Sequence, residues 1–182
     1  MELEGLLRFL RAAGMLKRVA RSGWVRVGVE NPESVADHSY RTALLSMLLA
    51  DLEGVNCEKA VRMALLHDLA ESMTGDLTPE EKRSLGGEYH QRETEAMRRI
   101  LGELPRELAH RYMELWDEYK RGETPEARLV QMADGLEMVL QAFEYELEGE
   151  AEAWRLDRFW RWEGEGYASK LYELLRRKRF RA

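Results

Sequence analysis

The chain has 182 residues, of which 45% are apolar and 34% are charged, and this balance excludes a disordered chain, a collagen-like repeat and a membrane bundle. Its formal net charge of −6 argues against a general binder of nucleic-acid polymers, which needs a basic surface. A single cysteine, Cys57, excludes an internal disulfide bond and a cysteine-based zinc cluster.

The N-terminus and the apolar stretches bear on the location of the protein. The sequence opens Met-Glu-Leu-Glu, with acids where a secretory signal needs basic residues followed by an apolar run. The longest apolar stretch, residues 43–50, is interrupted by Ser46 and is far shorter than the ~18 residues of a membrane span. We therefore expect a cytoplasmic protein without a membrane partner.

The first thirty residues show two different patterns. Leucines recur at helical spacing over residues 3–10, and Gly14 is placed to end that helix. In residues 15–30, valines alternate with other residues, and this period of two predicts an extended segment.

Three later helices carry start signals. Ser34, with Asp37 three residues later, resembles a capping box and predicts a helix over residues 35–52. Thr78 and Thr124 are each followed by a proline, which is the preferred order at a helix N-terminus.

The rest of the chain is also predicted to be mostly helical, because it has only four prolines and abundant leucine, glutamate, arginine and alanine. The further predicted helices cover residues 58–73, 88–101, 105–119, 125–148, 150–162 and 167–178. We expect an all-α fold, a single helical bundle of about seven or eight helices that spans residues 1–182.

One apolar helix contains a cluster of ionisable residues. His67, Asp68 and Glu71 share the predicted helix over residues 58–73, and at 100° per residue their side chains crowd onto one face. Burying two carboxylates among leucine and alanine is costly unless positive charge compensates. A divalent metal ion suits imidazole and carboxylate ligands. The alternative is a partly exposed histidine beside two solvated acids, and for a lone His-Asp pair that alternative is the favoured interpretation.

Three other residues favour the metal ion. His38 stands at the start of a second apolar helix, and Asp134 lies in the middle of a third. Asp76 follows the C-terminal end of the helix of His67, where the helix dipole disfavours a carboxylate unless a cation offsets it. The chain thus holds the order His, His-Asp, Asp on three predicted helices.

This order resembles the HD-domain metal-dependent phosphohydrolases, and more closely the 5′-deoxynucleotidases of the YfbR type. The most specific motifs are Glu-Ser-Val-Ala-Asp-His at 33–38 and His-Asp-Leu-Ala-Glu at 67–71. The other segments that carry the resemblance are 16–19, 21–25, 32, 75–76, 136–138 and 144–146. The resemblance covers about residues 4–150, and implies an HD-domain core at 1–150 followed by C-terminal helices at 151–182.

The resemblance also implies site residues. The ligands of one divalent cation would be His38, His67, Asp68 and Asp134. Glu71 and Asp76 fall where the family has catalytic or second-metal carboxylates, which allows a second ion near them. The ligand types are compatible with Mn, Co, Fe, Ni, Zn or Mg.

A basic segment precedes the helix of His38. Arg18, Arg21 and Arg26 cluster around Trp24, and the bland interpretation is a solvated basic loop. In the family that the chain resembles, an arginine and a tryptophan in this segment hold the phosphate and the sugar or base. The resemblance therefore implies Arg21 and Trp24 as substrate-binding residues, with Arg18 as the further candidate, and a planar guanidinium suits phosphate.

The resemblance implies a homodimeric enzyme that uses a divalent metal to release orthophosphate from (deoxy)nucleoside 5′-monophosphates, small molecules rather than nucleic-acid polymers. One alternative is a different HD phosphohydrolase, acting on nucleoside triphosphates or cyclic nucleotides. The other is a non-catalytic domain that binds nucleotide as a sensor. Glu71 and Asp76 argue against the sensor, because a pure binder has no need of these acids.

Overall fold

The computed structural model describes residues 3–180, and its regular structure is helical. The helices are α1 (Leu3–Met15), α2 (Ser22–Val27), α3 (Val35–Glu53), α4 (Cys57–Leu66), α5 (Glu71–Thr74), α6 (Pro79–Leu85), α7 (Gly87–Leu101), α8 (Arg106–Arg121), α9 (Pro125–Glu148), α10 (Ala153–Leu156) and α11 (Gly166–Arg179). Eight of these have seven residues or more, so the predicted all-α fold is confirmed. No helix within residues 3–180 combines the length and hydropathy needed to cross a bilayer.

Capping boxes explain where α3 and α6 begin. The Ser34 side chain accepts a hydrogen bond from the Asp37 N–H (3.2 Å), and the Asp37 carboxylate accepts one from the Ser34 N–H (3.0 Å). Thr78 and Glu81 make the same exchange at α6, where Pro79 takes the first helical position. A cap of this kind stabilises a helix by about 1 kcal/mol. The predicted helix starts are therefore confirmed, and the start at Thr124 is confirmed as well.

The extended segment predicted for residues 15–30 is wrong. A 3-10 turn (Leu16–Arg18) and the short helix α2 occupy most of it. The alternating valines do not share one buried face, since Val25 is more than half exposed while Val29 is buried. The side chain that anchors this segment is Trp24, whose ring packs on Phe159 with the ring centroids 4.0 Å apart. Gly28, at φ 86°, then ends α2 in a left-handed conformation that suits glycine.

The helix predicted over residues 58–73 is interrupted. α4 ends at Leu66, a turn occupies residues 67–70, and α5 begins at Glu71. The backbone hydrogen bond from the Glu71 N–H to the Asp68 carbonyl (2.9 Å) has the three-residue spacing of a 3-10 turn. The three ionisable residues predicted for one helix face therefore lie in and after a turn instead.

Two apolar clusters hold the helices together. One contains the fully buried Met63 of α4 and Val139 of α9, and the other contains Met97 of α7 and Trp116 of α8. Burying a side chain of this size contributes about 1.5–3 kcal/mol. The last residue of α4, Leu66, belongs to the second cluster, so α4 ends where the two clusters meet.

The C-terminal part of the chain packs back onto this bundle. The helix predicted over residues 150–162 is reduced to α10 and a 3-10 turn (Asp157–Trp160). α11 packs against α9 and α3, and the Tyr172 hydroxyl donates a hydrogen bond to the Trp160 carbonyl (2.5 Å). This packing brings residues just before α11 next to α2 and α9.

Two glycines of α1 form a matched pair for a stability test. A Cβ at Gly5 would lie 2.3 Å from the backbone oxygen of Glu103, whereas no heavy atom lies within 4 Å of the same position at Gly14. Gly14 does not end α1 as predicted, because the helix continues to Met15. We expect Gly5→Ala to lower the free energy of unfolding by about 1–3 kcal/mol through overpacking. Gly14→Ala should raise it by about 0.5–1 kcal/mol, because alanine is the better helix former.

Urea denaturation of the two variants and the wild type measures both changes. Equal stability of Gly5→Ala and Gly14→Ala would contradict the close approach of α1 to Glu103.

Candidate metal centre

Four ionisable side chains meet where α3, α9 and the end of α4 come together. The Nε2 atoms of His38 and His67 are 3.4 Å apart, and the His38 Nε2 lies 3.0 Å from the Asp134 Oδ1. The Asp68 Oδ2 is 3.1 Å from the His67 Nε2 and 3.6 Å from the His38 Nε2. The structure thus brings together the four residues predicted as metal ligands.

The Nδ1 atom of each histidine already makes a hydrogen bond. The His67 Nδ1 donates a hydrogen bond to the Ala64 carbonyl (2.6 Å), and the His38 Nδ1 donates one to the Glu137 carboxylate. The other oxygen of Glu137 accepts a hydrogen bond from the Arg41 Nε (2.9 Å). Both Nε2 atoms are thereby turned toward the two aspartates, an arrangement typical of histidines that bind metal.

Asp134 is oriented by Tyr119 of α8, whose hydroxyl donates a hydrogen bond to the Asp134 Oδ2 (3.0 Å). Tyr119 and Glu137 are site residues that the sequence analysis missed. Glu137 lies one turn after Asp134 in an apolar part of α9. A second acid at this helical spacing could have identified Glu137 from the sequence. No local pattern connects Tyr119 with the site.

The pKa values of the side chains in the cluster show that its carboxylates favour a positive charge beside them. Burial lowers the pKa of His38, but hydrogen bonds to Asp134 and Glu137 raise it by more, to about 10. Burial raises the pKa of Asp134, but the hydrogen bond from His38 and the charge of His67 lower it to about 2. Asp68 also has a lowered pKa, because His67 and Arg21 outweigh its burial. Since a metal ion displaces protons from such ligands, this donor set fits a divalent cation.

The cluster borders a cavity of about 350 Å³, a volume within the range of small-molecule sites. Asp68 and Asp134 form part of its wall, together with Arg21, Trp24 and Asp76. A small molecule in this cavity therefore contacts the metal-ligand cluster and the predicted substrate-binding segment at once.

Arg21 is the basic residue of that segment that reaches the cluster. Its Nη1 lies 3.6 Å from the Asp68 Oδ2 and 3.2 Å from the Asp76 Oδ1. Burial lowers the pKa of Arg21, but these carboxylates raise it above its usual value, so the guanidinium is charged. The Asp76 Oδ2 accepts hydrogen bonds from the N–H (2.6 Å) and hydroxyl (2.9 Å) of Ser22. Asp76 thus fixes Arg21 and the start of α2.

The other two predicted substrate-binding residues, Trp24 and Arg18, offer little or no surface to the cavity. Trp24 lines the cavity but is only 1% exposed, and its Nε1 donates a hydrogen bond to the Glu33 carboxylate (2.9 Å). Trp24 therefore supports the wall and offers little surface to a ligand. Arg18 does not line the cavity, because the 3-10 turn that buries Leu16 leaves Arg18 exposed to solvent.

Glu71 lies behind the cavity wall and is 1% exposed. Its Oε1 is 3.2 Å from the Nζ of Lys82, a cavity-lining residue that the sequence analysis missed, and its Oε2 has no hydrogen-bond partner within residues 3–180. Burial and the charge of Asp68 raise the pKa of Glu71 to about 9, against the opposing effect of Lys82. The carboxyl group therefore holds a proton at neutral pH.

Besides His38, His67 and Asp68, two other groups within residues 3–180 have three potential ligand atoms close enough to hold one metal ion. One consists of His38, His67 and Asp134, and the other of Glu33, His38 and Glu137. Neither includes Glu71 or Asp76, the residues near which the resemblance allowed a second ion.

Comparison with known proteins connects this geometry with a family. A family model described as "HD domain" matches residues 13–173. The chain belongs to the HD domain family. This HD domain protein is 48% identical over 142 residues to the 5′-deoxynucleotidase HDDC2 of Mus musculus, covering 78% of this chain and 70% of the relative. The sequence-based resemblance to HD-domain 5′-deoxynucleotidases is thereby confirmed.

Solved structures give the same result for the fold of the HD domain protein. A conserved hypothetical protein from Pyrococcus furiosus has a TM-score of 0.80 at 39% identity, over 94% of this chain and 99% of that chain. A predicted metal-dependent phosphohydrolase from Magnetospirillum magnetotacticum has a TM-score of 0.75 at 28% identity, over 98% and 93% of the two chains.

The hydrogen bond between His38 and Glu137 predicts that Glu137→Gln weakens metal binding about 10–100-fold, because a neutral amide orients and polarises the imidazole less well. Glu144→Gln is the matched control, since Glu144 also pairs with Arg41 but makes no contact with His38. Competition with a coloured chelator measures both affinities. Wild-type affinity in Glu137→Gln would remove Glu137 from the metal centre.

Proposed function

We propose that this HD domain protein is a divalent-metal-dependent phosphohydrolase that releases orthophosphate from (deoxy)nucleoside 5′-monophosphates. The observation that carries the proposal is the convergence of two imidazoles and two carboxylates beside a charged arginine in a cavity of about 350 Å³. The identity to relatives named 5′-deoxynucleotidase, 48% for the mouse protein, supports the choice of substrate class.

In this proposal, His38, His67, Asp68 and Asp134 hold one cation. The His38 Nε2 lies 3.0–3.6 Å from a potential ligand atom of each of the other three residues, a spacing that suits ligands of one ion. When bound, the cation activates a water molecule and stabilises the negative charge that develops on the phosphoryl oxygens. The proposal uses one ion, because both Asp76 oxygens are already engaged by Arg21 and Ser22.

Arg21 is the proposed phosphate-binding residue. Its Nη1 is paired with Asp68 and Asp76, while its Nε and Nη2 make no hydrogen bond within residues 3–180. A guanidinium that two carboxylates hold in place is preorganised to donate hydrogen bonds to a phosphate group. Lys82, which also lines the cavity, adds a second positive charge.

Glu71 is proposed to hold the proton that the leaving 5′-oxygen requires. It is buried beside Asp68, and its Oε2 is unpaired within residues 3–180. Its ion-pair partner Lys82 also lines the cavity. Breaking the phosphorus–oxygen bond leaves an alkoxide of high proton affinity, and a positioned acid lowers the barrier for that step.

We further propose a homodimer. Apolar side chains at helical spacing on α3 support it, since they remain exposed to solvent; they are Tyr40, Leu44, Leu48 and Leu52. Exposed apolar surface of this kind is commonly covered by a partner, and a second copy is the commonest one. The cytoplasmic location and the single domain over residues 1–182 stay predictions from the sequence.

The test of the proposed activity is orthophosphate release from a panel of ribo- and deoxyribonucleoside 5′-monophosphates. The protein is stripped of metal and then given Mn²⁺, Co²⁺, Mg²⁺ or Zn²⁺ singly. We expect metal-dependent release that favours the deoxy substrates. Tripolyphosphate from triphosphates or ring opening of cyclic nucleotides would instead indicate another HD phosphohydrolase. Saturable nucleotide binding without turnover would indicate a sensor.

For Glu71→Gln we expect a kcat about 10²-fold below that of the wild type with unchanged metal content, because the amide keeps the size of the side chain but carries no transferable proton. Glu95→Gln, an exposed position on α7 that does not line the cavity, is the control for the substitution of a glutamate by glutamine. Steady-state kinetics and metal analysis of the same preparations provide the readouts. A kcat equal to that of the control would exclude Glu71 from proton transfer.

A further inference from the structure

The C-terminal segment, residues 153–162, forms one wall of the cavity that borders the metal-ligand cluster. This segment lies outside the part of the chain that carries the family motifs, yet four of its side chains line the cavity. They are Arg158, Phe159, Arg161 and Trp162. What this wall recognises depends on the proposed function.

Trp162 is held directly beside Asp134. A Cβ at Gly135 would lie 2.9 Å from the Cδ1 of Trp162, so the indole lies against the backbone of the turn that carries Asp134. The Trp162 Nε1 donates a hydrogen bond to the Met132 carbonyl (3.2 Å), and the Tyr172 ring packs on the indole with the centroids 5.1 Å apart. The indole is therefore fixed in position before any ligand binds.

Trp162 also differs from the other two aromatic residues of the cavity. Trp24 and Phe159 are buried and pack on each other, with their centroids 4.0 Å apart. Trp162 is only partly buried, so it is the one of these three rings that has surface left for a ligand. A fixed aromatic ring with free surface suits a planar partner, because little conformational entropy is lost on stacking.

A nucleoside monophosphate has two chemically different ends, and this cavity offers both positively charged and aromatic side chains. Arg21 and Lys82 provide positive charge for the phosphate end, beside the two aspartates of the metal-ligand cluster. We propose that Trp162 stacks on the nucleobase and that Gly135 is the positioning residue that lets the indole lie there. Stacking of this kind is tolerant of the base, since every nucleobase has a π face.

The proposal predicts that Trp162 affects binding of the nucleoside but not of phosphate. For metal-loaded Trp162→Ala, calorimetry should give a Kd for the deoxynucleoside about tenfold above that of the wild type, with an unchanged Kd for inorganic phosphate. The KM for the deoxynucleoside 5′-monophosphate should rise by a similar factor. Trp162→Phe should restore most of the nucleoside affinity, because it keeps a ring.

Trp154→Ala is the matched control, since Trp154 lies in the same segment and is exposed but does not line the cavity. Equal loss of nucleoside and phosphate affinity in Trp162→Ala would overturn the proposal and indicate a structural role. Wild-type nucleoside affinity in this variant would also overturn it, because Trp162 would then make no contact with the nucleobase. Absence of orthophosphate release by the wild type would contradict the proposed function, whereas the two Kd values would still decide the role of Trp162.

Gly135 is tested in a double-mutant cycle. Gly135→Ala should weaken nucleoside binding in the wild-type background, because the added methyl group displaces the indole. The same change should have no further effect in Trp162→Ala. An undiminished effect there would show that Gly135 does not act through Trp162.

Discussion

The burial of carboxylates at one point of a helical bundle is the constraint on which the rest of this structure depends. α3, α4 and α9 supply much of the apolar core, but where they meet, Glu137 is fully buried and Asp68 and Asp134 are only 16% and 28% exposed. Desolvated carboxylates are stable only with positive charge close by. The compensating side chains are Arg21, Arg41 and the two histidines.

The turn after α4 carries two of the four proposed metal ligands, His67 and Asp68. In this turn, the His67 Nε2 lies 3.1 Å from the Asp68 Oδ2. The turn is held from outside the site, because the Trp116 Nε1 donates a hydrogen bond to the His67 carbonyl (3.2 Å). The second apolar cluster thus supports the geometry of the ligands.

The sequence predicts those parts of this molecule that depend on short-range chemistry. Helix starts at Ser34, Thr78 and Thr124 follow from side chains that cap nearby N–H groups, and the structure has each of them. The valine alternation before residue 30 is misleading because a distant partner, Phe159, determines the burial of Trp24. Tyr119 could not be predicted as a site residue for the same reason, since its hydrogen bond to Asp134 forms only when α8 packs on α9.

The long-range contacts of the C-terminal segment have a consequence for the order of assembly. All four proposed metal ligands are encoded before residue 135, whereas the wall formed by residues 158–162 is synthesised afterwards. That wall reaches its place through contacts distant in sequence, such as the hydrogen bond of Arg155 to the Val27 carbonyl, 128 residues away. Contacts with such large loops form late. A growing chain therefore contains all four proposed metal ligands before the residues of this wall are synthesised.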